Sequence, residues 1–242
     1  MTRENSNIQP RRVLRTIFKV AAIGGALVLA ILVAAHFVWK YSGSNQWELI
    51  TEKNGIKIYS LKAPGDVIER FRGVTQVRTT LSAAVAMMMQ TDTEACKEWF
   101  PGCTSIQAIQ PWNPQDLTYV HLYRLSAFRP FKPREWLLKA RASQDPQTKS
   151  VLIEFMAMPD ELPQNSCCFR VSHLHNTWRF TPLDNGLVEV EHRMNADQGI
   201  PYVMFNRFIP GALYRVLARL QKYLDDHAVL QHARYDLIKE KS

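Results

Sequence analysis

An apolar segment at residues 20–39, with His36 as its one polar residue, constrains this chain more than any other part of its sequence. The segment contains no charged side chain, and as a helix it would extend about 30 Å, the thickness of a bilayer hydrocarbon core. Trp39 and Tyr41 at its far end are typical of the aromatic belt at a membrane interface. The segment therefore predicts a transmembrane anchor rather than part of a globular core.

The charge beside this segment predicts which way it crosses the membrane. Basic residues cluster on its amino-terminal side, and the positive-inside rule therefore keeps residues 1–19 in the cytoplasm. The rest of the chain is then expected on the periplasmic or other extracytoplasmic side. The basic residues of this flank are Arg11, Arg12, Arg15 and Lys19.

A cleaved signal peptide is the alternative interpretation of the same segment. Its apolar core would be unusually long, and residues 33–36 offer no clean small-residue pattern for cleavage, although residues 42–44 could serve. With an uncleaved anchor, residues 40–46 are predicted to be a short tether and residues 47–242 a single folded domain.

The distribution of charge argues against a nucleic-acid-binding protein. The chain carries a formal net charge of +8, but residues 1–40 account for +5 and the remaining 202 residues for only +3. A nucleic-acid-binding domain normally concentrates its positive charge in the folded part. We therefore expect the membrane, and no nucleic acid, as the partner of the basic residues.

Four cysteines lie in the part expected outside the cytoplasm, where thiols are often oxidised. Cys96 and Cys103 flank a short loop and are candidates for a disulfide bond. Cys167 and Cys168 are adjacent, so both cannot easily reach the same partner. The only closely spaced histidines, a His-Leu-His at 173–175, are common in proteins without metal, and we expect no metal ion or other cofactor.

Beyond the tether the sequence pattern changes to that of strands and short helices. An Asn-Gly turn predicts a hairpin of strands 47–53 and 56–61. Two short helices are predicted at 81–90 and 92–100, the second with Asp92 as its amino-terminal cap. The other predicted strands are 67–79, 105–110, 117–125, 136–143, 150–158, 169–181 and 187–196.

The alternation of apolar and polar residues predicts the pairing of the last two strands. A three-residue loop at 184–186 places Leu183 opposite Leu187 and Arg179 opposite Glu191, whereas a two-residue loop would mix the two faces. One face of this hairpin is then apolar and the other faces solvent. The apolar face carries Trp178, Phe180, Val188, Val190 and His192.

The chain ends in a long amphipathic helix, predicted at 202–226. The order of elements therefore predicts an α+β fold in which an antiparallel sheet wraps around this helix. Another side of the helix carries a basic ridge that we expect to favour anionic membranes, with a merely solvated surface as the alternative. The basic ridge consists of Arg207, Arg215, Arg219 and Lys222.

Three stretches of the sequence carry local motifs in a fixed order. The first is the opening hairpin, with Trp47 and Gly-Ile-Lys-Ile-Tyr at 55–59, and the second is Pro-Arg-Glu-Trp at 133–136. The third contains Trp-x-Phe-x-Pro-Leu-Asp-Asn-Gly at 178–186, Asp-Gln-Gly-Ile-Pro at 197–201, and Asn206 and Pro210.

In order and spacing these motifs resemble the steroidogenic acute regulatory protein-related lipid transfer (START) domain, over about residues 47–223. The resemblance implies a helix-grip fold, a curved antiparallel β-sheet around a long carboxy-terminal helix, here preceded by one transmembrane helix. It also implies non-catalytic binding, and transfer, of one hydrophobic molecule such as a lipid between sheet and helix. A sensor or interaction module that uses the same cavity is the alternative.

Two groups of residues are expected to act in lipid binding. Candidate wall residues lie on the sheet and the last helix, where each is equally well explained as ordinary core. The candidate gate is the loop 126–132, because Phe128 and Phe131 flank Arg129 in a strand connection that is normally polar; rings folded back as core are the alternative. The candidate wall residues are Trp136, Leu138, Val151, Ile153, Phe155, Trp178, Phe180, Val190, Phe205, Ile209, Leu213 and Val216.

Two positions depart from the family's pattern. Gln198 stands where the family commonly has a glycine. Ala140 stands where sterol-binding members place a buried arginine, and Arg141, one residue later, is expected on the opposite face. We therefore do not expect a sterol as the ligand.

An enzyme is not expected, although related helix-grip proteins include cyclases and hydrolases. The sequence contains no glycine-rich phosphate loop, nucleophile elbow or His-Glu-x-x-His motif. Asp160 and Glu161 lie in a proline-bounded loop, where a solvated turn is the simpler explanation. The candidate general bases would be His121, His173, His175 and His192.

Overall fold

The computed structural model describes residues 10–235 and 238–240. Residues 1–9 of the predicted cytoplasmic segment lie outside the described residues, as do the last two residues of the predicted domain. Helix α1 spans Pro10–Tyr41 without interruption and is longer than the apolar segment at both ends. Its stretch Val13–Tyr41 is long and apolar enough to cross a membrane, and its large apolar side chains are exposed.

An α+β domain follows this helix. It opens with strands β1 (Trp47–Lys53), β2 (Ile56–Leu61) and β3 (Arg70–Val77) and helices α2 (Leu81–Met89) and α3 (Thr93–Trp99). The later elements are β4 (Cys103–Asn113), β5 (Thr118–Leu125), β6 (Arg134–Gln144), β7 (Val151–Ala157), β8 (Phe169–Arg170), β9 (His173–Pro182), β10 (Val188–Met194), β11 (Ala196–Asp197), α4 (Tyr202–Asp226) and a 3₁₀-helix at Ala228–His232.

Local signals explain the first hairpin and the third helix. Asn54 and Gly55 both have positive φ, at 52° and 72°, which the tight turn between β1 and β2 requires and which asparagine and glycine tolerate. Asp92 caps α3, because its Oδ1 accepts hydrogen bonds from the backbone N–H groups of Glu94 and Ala95. The predicted hairpin and the predicted cap are therefore confirmed.

The strands form one curved sheet in the order β1-β2-β3-β10-β9-β7-β6-β5-β4, with antiparallel neighbours. The last hairpin has the predicted register, since Leu183 N donates to Leu187 O at 2.8 Å and Arg179 lies opposite Glu191. Its predicted apolar face is buried. Glu191 is buried as well, contrary to the expected solvent-facing position, because Arg72 and Arg193 enclose its carboxylate.

Two predicted strands are wrong in their continuity. The expected strand 169–181 is divided, because β8 pairs with β6 in parallel before the chain turns at residues 171–172 into β9. The expected strand 187–196 is divided at Asn195, whose backbone N–H is bound by the side chain of Asn176, and β11 pairs only with the start of β9. The local alternation of apolar and polar residues cannot reveal either contact, because each joins residues that are distant in the sequence.

Helix α4 packs against β2 and β3 at the point where β3 has a glycine. A Cβ atom at Gly73 would lie 2.6 Å from Leu217 Cδ1 and 3.1 Å from Leu213 Cγ, so any larger residue would require these side chains to shift. Leu217, Leu220 and Leu224 are fully buried there. The carboxy-terminal half of α4 is therefore part of the packed core.

On the outer face of β6, Glu135 holds an ionic cluster. Its buried carboxylate accepts hydrogen bonds from Arg170 at 2.7 and 3.0 Å and from Arg124 at 3.2 Å. Burial raises the pKa of Glu135, but these arginines outweigh burial and hold the pKa below its usual value. Arg170 also donates to the carbonyls of Pro159 and Pro163 and so fixes the proline-bounded loop.

All four cysteines are in disulfide bonds in the structure. Cys96 at α3 is joined to Cys103 at the start of β4, which closes the loop between the helix and the strand. Cys167 and Cys168 are joined to each other. The sequence analysis considered how Cys167 and Cys168 could each pair with some other cysteine. It therefore missed the disulfide bond between these two neighbours.

Candidate functional site

A cavity of about 300 Å³ lies between the sheet and the amino-terminal half of α4. The helix contributes Ile209, Ala212, Leu213 and Val216, which lie on consecutive turns of one side. The sheet opposes them with the indole of Trp136 and with side chains of β9 and β10. The volume is at the lower end of the range of small-molecule sites in proteins.

A smaller pocket of about 40 Å³ continues from this cavity towards α2 and α3. The two spaces share Phe100, Trp136, Asn176 and His192 as walls. Trp99 packs edge-on against Trp178 at 6.3 Å between ring centroids and helps to close this end. The inner end of the cavity is thus aromatic, with two polar side chains set among the rings.

The predicted wall residues divide into two groups in the structure. Those of the first group line the cavity or its inner pocket, whereas those of the second are packed in the core and border neither space. The first group is Trp136, Leu138, Phe155, Trp178, Ile209, Leu213 and Val216. The second group is Val151, Ile153, Phe180, Val190 and Phe205.

The second group is packed for identifiable reasons. Val151 and Val190 lie opposite Phe180 on either side of β9, and α2 packs against this strand. Phe205 packs on Phe71 of β3, with ring centroids 6.0 Å apart. Assigning these residues to the cavity wall is corrected accordingly, because neighbouring side chains already fill the space around them.

The predicted gate loop borders the opening of the cavity. Phe128 is about half exposed, and its ring contacts Phe131 at 5.1 Å and Phe208 of α4 at 5.8 Å. Arg129 is exposed at the tip of the loop. The loop and the helix therefore meet through aromatic rings across the opening, and Phe208 is a residue that the sequence interpretation missed.

The basic ridge of α4 is exposed along its whole length but is not uniformly free of partners. Arg215 lies at the cavity opening, and Arg207 borders an open groove beside it. Arg219 donates to the backbone carbonyl of Lys97, and Lys222 forms an ion pair with Asp226. The two cations of the ridge nearest the opening, Arg207 and Arg215, are thus the ones without a described partner.

Helix α1 is attached to the domain near the start of α4. Trp39 Nε1 and Asn206 Nδ2 both donate to the carbonyl oxygen of Val67, at 2.9 and 3.0 Å. One turn before Trp39, His36 Nδ1 lies 3.3 Å from the hydroxyl of Tyr202. The apolar helix therefore meets the domain at the end of α4 that borders the cavity.

Arg134 organises the polar side of the cavity. Its Nε donates to the carbonyl of Gln198 at 2.8 Å, its Nη1 donates to the carbonyl of Lys132, and its guanidinium lies over the rings of Phe131 and Phe169. Burial lowers the pKa of Arg134. These carbonyls hold the loop before β6 and the segment before α4 together.

The histidines named as candidate general bases are separated in the fold. His173 and His175 are exposed, whereas His121 and His192 are buried on the inner face of the sheet. Only His192 of these four borders the cavity. Within residues 10–235 and 238–240, no three His, Cys, Asp or Glu side chains are grouped to hold a metal ion.

Comparison with known proteins agrees with this arrangement of sheet, helix and cavity. The START domain matches residues 38–228, most of the chain. A single hydrophobic-ligand cavity between a curved antiparallel sheet and a terminal helix is the architecture that the sequence resemblance implied. The chain belongs to the START domain family.

Individual relatives are distant in sequence but similar in fold. An uncharacterized protein of Pseudomonas aeruginosa is 23% identical over 200 residues, which are 81% of this chain and 96% of that protein. The STAR-related lipid transfer protein from Xanthomonas axonopodis (fragment 25–204) has a TM-score of 0.66 at 22% identity, covering 74% of this chain and 98% of that one. Human StAR-related lipid transfer protein 5 has a TM-score of 0.62 at 17% identity, covering 85% and 96%.

The buried histidines predict that acid destabilises the domain. Burial lowers the pKa of His121 to about 4 and that of His192 to about 3, from about 6.5 in the unfolded chain. Between those values the unfolded state binds more protons, so the free energy of unfolding should fall as the pH falls below about 6.5. Each histidine should contribute about 1.4 kcal/mol per pH unit, and the contribution is complete above pH 6.5.

Urea unfolding of the full chain in detergent micelles, followed by tryptophan fluorescence between pH 7 and 5, measures this slope. Replacing His192 by Phe, which keeps a ring against Trp178, should reduce the slope, whereas replacing the exposed His173 by Phe should leave it unchanged. An unaltered slope in the His192→Phe variant would contradict the conclusion that the buried His192 makes the stability depend on pH.

Proposed function

We propose that this protein binds one hydrophobic molecule, such as a lipid, in the cavity beneath α4 and transfers it without catalysing a reaction. The observation that carries the proposal is the cavity itself, which is enclosed by apolar side chains of both sheet and helix. Removing apolar surface from water is favourable by about 25 cal/mol per Å², so binding needs no charged or covalent anchor. Membership of the START family supports the same ligand class.

The lining of the cavity also supports a non-catalytic function. None of the described residues that line it is Asp or Glu, and the one histidine among them is stacked on Trp178 at 4.0 Å. General acid–base catalysis would need a titratable group poised near neutral pH. Burial instead lowers the pKa of His192 to about 3, which keeps the ring neutral.

We propose further that α1 is an uncleaved anchor and that the domain lies on the extracytoplasmic side, in the periplasm of a Gram-negative cell. The basic flank before the helix supports this orientation. The contact of His36 with Tyr202 at the start of α4, and that of Trp39 with the carbonyl of Val67, support a domain held with its cavity opening close to the bilayer.

The surface around the opening supports direct contact with that membrane. Exposed apolar side chains surround it, and the exposed cations Arg207 and Arg215 lie beside them, where they could meet lipid phosphates. We propose that the loop 126–132 and α4 open there to admit the ligand. The exposed apolar residues there are Ile50, Phe128 and Phe208.

Filling the cavity should abolish ligand binding. Ala212→Trp places an indole where the helix faces the cavity, and lipids that co-purify with the full chain should be lost in native mass spectrometry. Overpacking should cost no more than about 1–3 kcal/mol of stability. Val203→Trp, on the exposed side of the same helix, is the matched control and should keep its lipid. Equal occupancy in both variants would disprove the proposed cavity function.

Orientation can be tested with a reporter that is active only in the cytoplasm. Fused after Ser242, it should be silent, because the positive-inside rule sends the carboxy terminus across the membrane. The same reporter fused before Met1 should be active, which controls for expression and folding. Strong activity of the carboxy-terminal fusion would reverse the proposed topology.

The gate can be tested by the double substitution Phe128→Ser, Phe131→Ser. Uptake of a fluorescent lipid from donor liposomes by the full chain should slow by about tenfold or more, since each ring contributes roughly 1.5–3 kcal/mol on leaving water. The melting temperature should change little. Met156→Ser, an equally exposed apolar position outside the cavity, is the control. A large loss of stability with normal uptake would show that the rings are core instead.

A further inference from the structure

The side-chain amide of Gln198 has a fixed orientation in the cavity wall. Trp136 Nε1 donates a hydrogen bond to Gln198 Oε1 at 3.1 Å, and because an indole N–H can only donate, the amide oxygen must face it. The amide nitrogen Nε2 therefore points away from the indole. Gln198 is 7% exposed, and in the described part of the chain nothing accepts a hydrogen bond from Nε2.

His192 is a second buried polar group without a hydrogen-bonding partner in the same cavity. It is 5% exposed and stacks on Trp178, and neither of its ring nitrogens has a hydrogen-bonding partner among the described residues. A neutral imidazole offers one donor and one acceptor. Buried polar atoms are nearly always paired, so unpaired donors lining a cavity indicate where a ligand supplies the missing group.

The charges around the cavity limit what that group can be. Of the twenty described residues that line it, none is acidic and two are cationic, Arg134 and Arg215. Arg134 is engaged by the backbone carbonyls of Lys132, Gln198 and Gly199, and Arg215 is exposed at the opening. Among the described lining residues, the buried side-chain atoms without a hydrogen-bonding partner are Gln198 Nε2 and the two ring nitrogens of His192, and both groups are uncharged.

We propose that Gln198 and His192 form a specificity-determining subsite for an uncharged oxygen, a hydroxyl or a carbonyl, on a ligand with a single apolar chain. The amide Nε2–H donates to the oxygen, and the imidazole either donates to it or accepts from its hydroxyl. A cavity of about 300 Å³ favours one chain over a two-chain phospholipid. This inference rests on the proposed function and names the ligand class of the same cavity.

The test compares three probes of equal chain length on the full chain in phosphatidylcholine nanodiscs. Radiolabelled 1-dodecanol, dodecanoate and dodecane are titrated, and binding to empty nanodiscs is subtracted. Gln198→Leu should weaken 1-dodecanol binding about tenfold, a change of about 1.4 kcal/mol, and leave dodecane binding unchanged. Gln198→Glu keeps an acceptor for Trp136 but loses the donor, and it should weaken 1-dodecanol as well. Gln115→Leu, in an exposed turn, is the matched control.

A second variant, His192→Phe, keeps the stacking on Trp178 and should also affect 1-dodecanol more than dodecane. Equal weakening of both probes would overturn the subsite, because the residues would then only shape the cavity. No weakening of either probe would overturn it too, while the proposed function would stand. Dependence of dodecanoate alone on Gln198 would mean an anionic ligand and refute the uncharged oxygen. If the unaltered chain bound none of the three probes, the proposed function itself would fail, and the subsite with it.

Discussion

The close approach of α4 to β3 at Gly73 is the contact on which the rest of the domain depends. Leu217 and Leu213 lie within 2.6–3.1 Å of where a Cβ at position 73 would be, so the glycine lets these side chains pack directly on the strand. The approach buries Leu217, Leu220 and Leu224 and fixes the carboxy-terminal half of α4 as core. An alanine at position 73 would require the Leu217 side chain to move within a packed core.

The cavity exists because α4 packs tightly on the sheet along only one half of its length. Where α4 is pressed against β3, side chains fill the interior, and where it continues towards its amino terminus, Ile209, Ala212 and Val216 face the indole of Trp136 across open space. The indole of Trp136 on the sheet and the aliphatic side chains on the helix leave a gap that neither side closes. A protein interior is normally close-packed, so a persistent gap of this size between elements is typical of a ligand site.

The elements could be predicted from the sequence more fully than the site could. Alternation fixes the register of the last hairpin and periodicity fixes α4, because both signals are local. Val151 and Trp136 are equally apolar in sequence, yet only Trp136 borders the cavity, since lining depends on how deeply α4 sits at each level of the sheet. The division of strand 169–181 depends on the crossover to β6, and the role of Phe208 depends on the loop opposite it. These are contacts over long sequence separations.

The surface around the opening connects the cavity to the anchor. Ile50, Phe128 and Phe208 are each about half exposed and border one groove, a clustering of large apolar side chains that a freely soluble domain avoids because it promotes aggregation. The same end of the domain receives α1 through Val67 and Tyr202, so the apolar surface and the apolar helix share one side of the molecule. A bilayer that holds α1 would cover this surface as well. In the function that we propose, exposed rings that would be a liability in solution are the route by which a hydrophobic ligand reaches the cavity without crossing water.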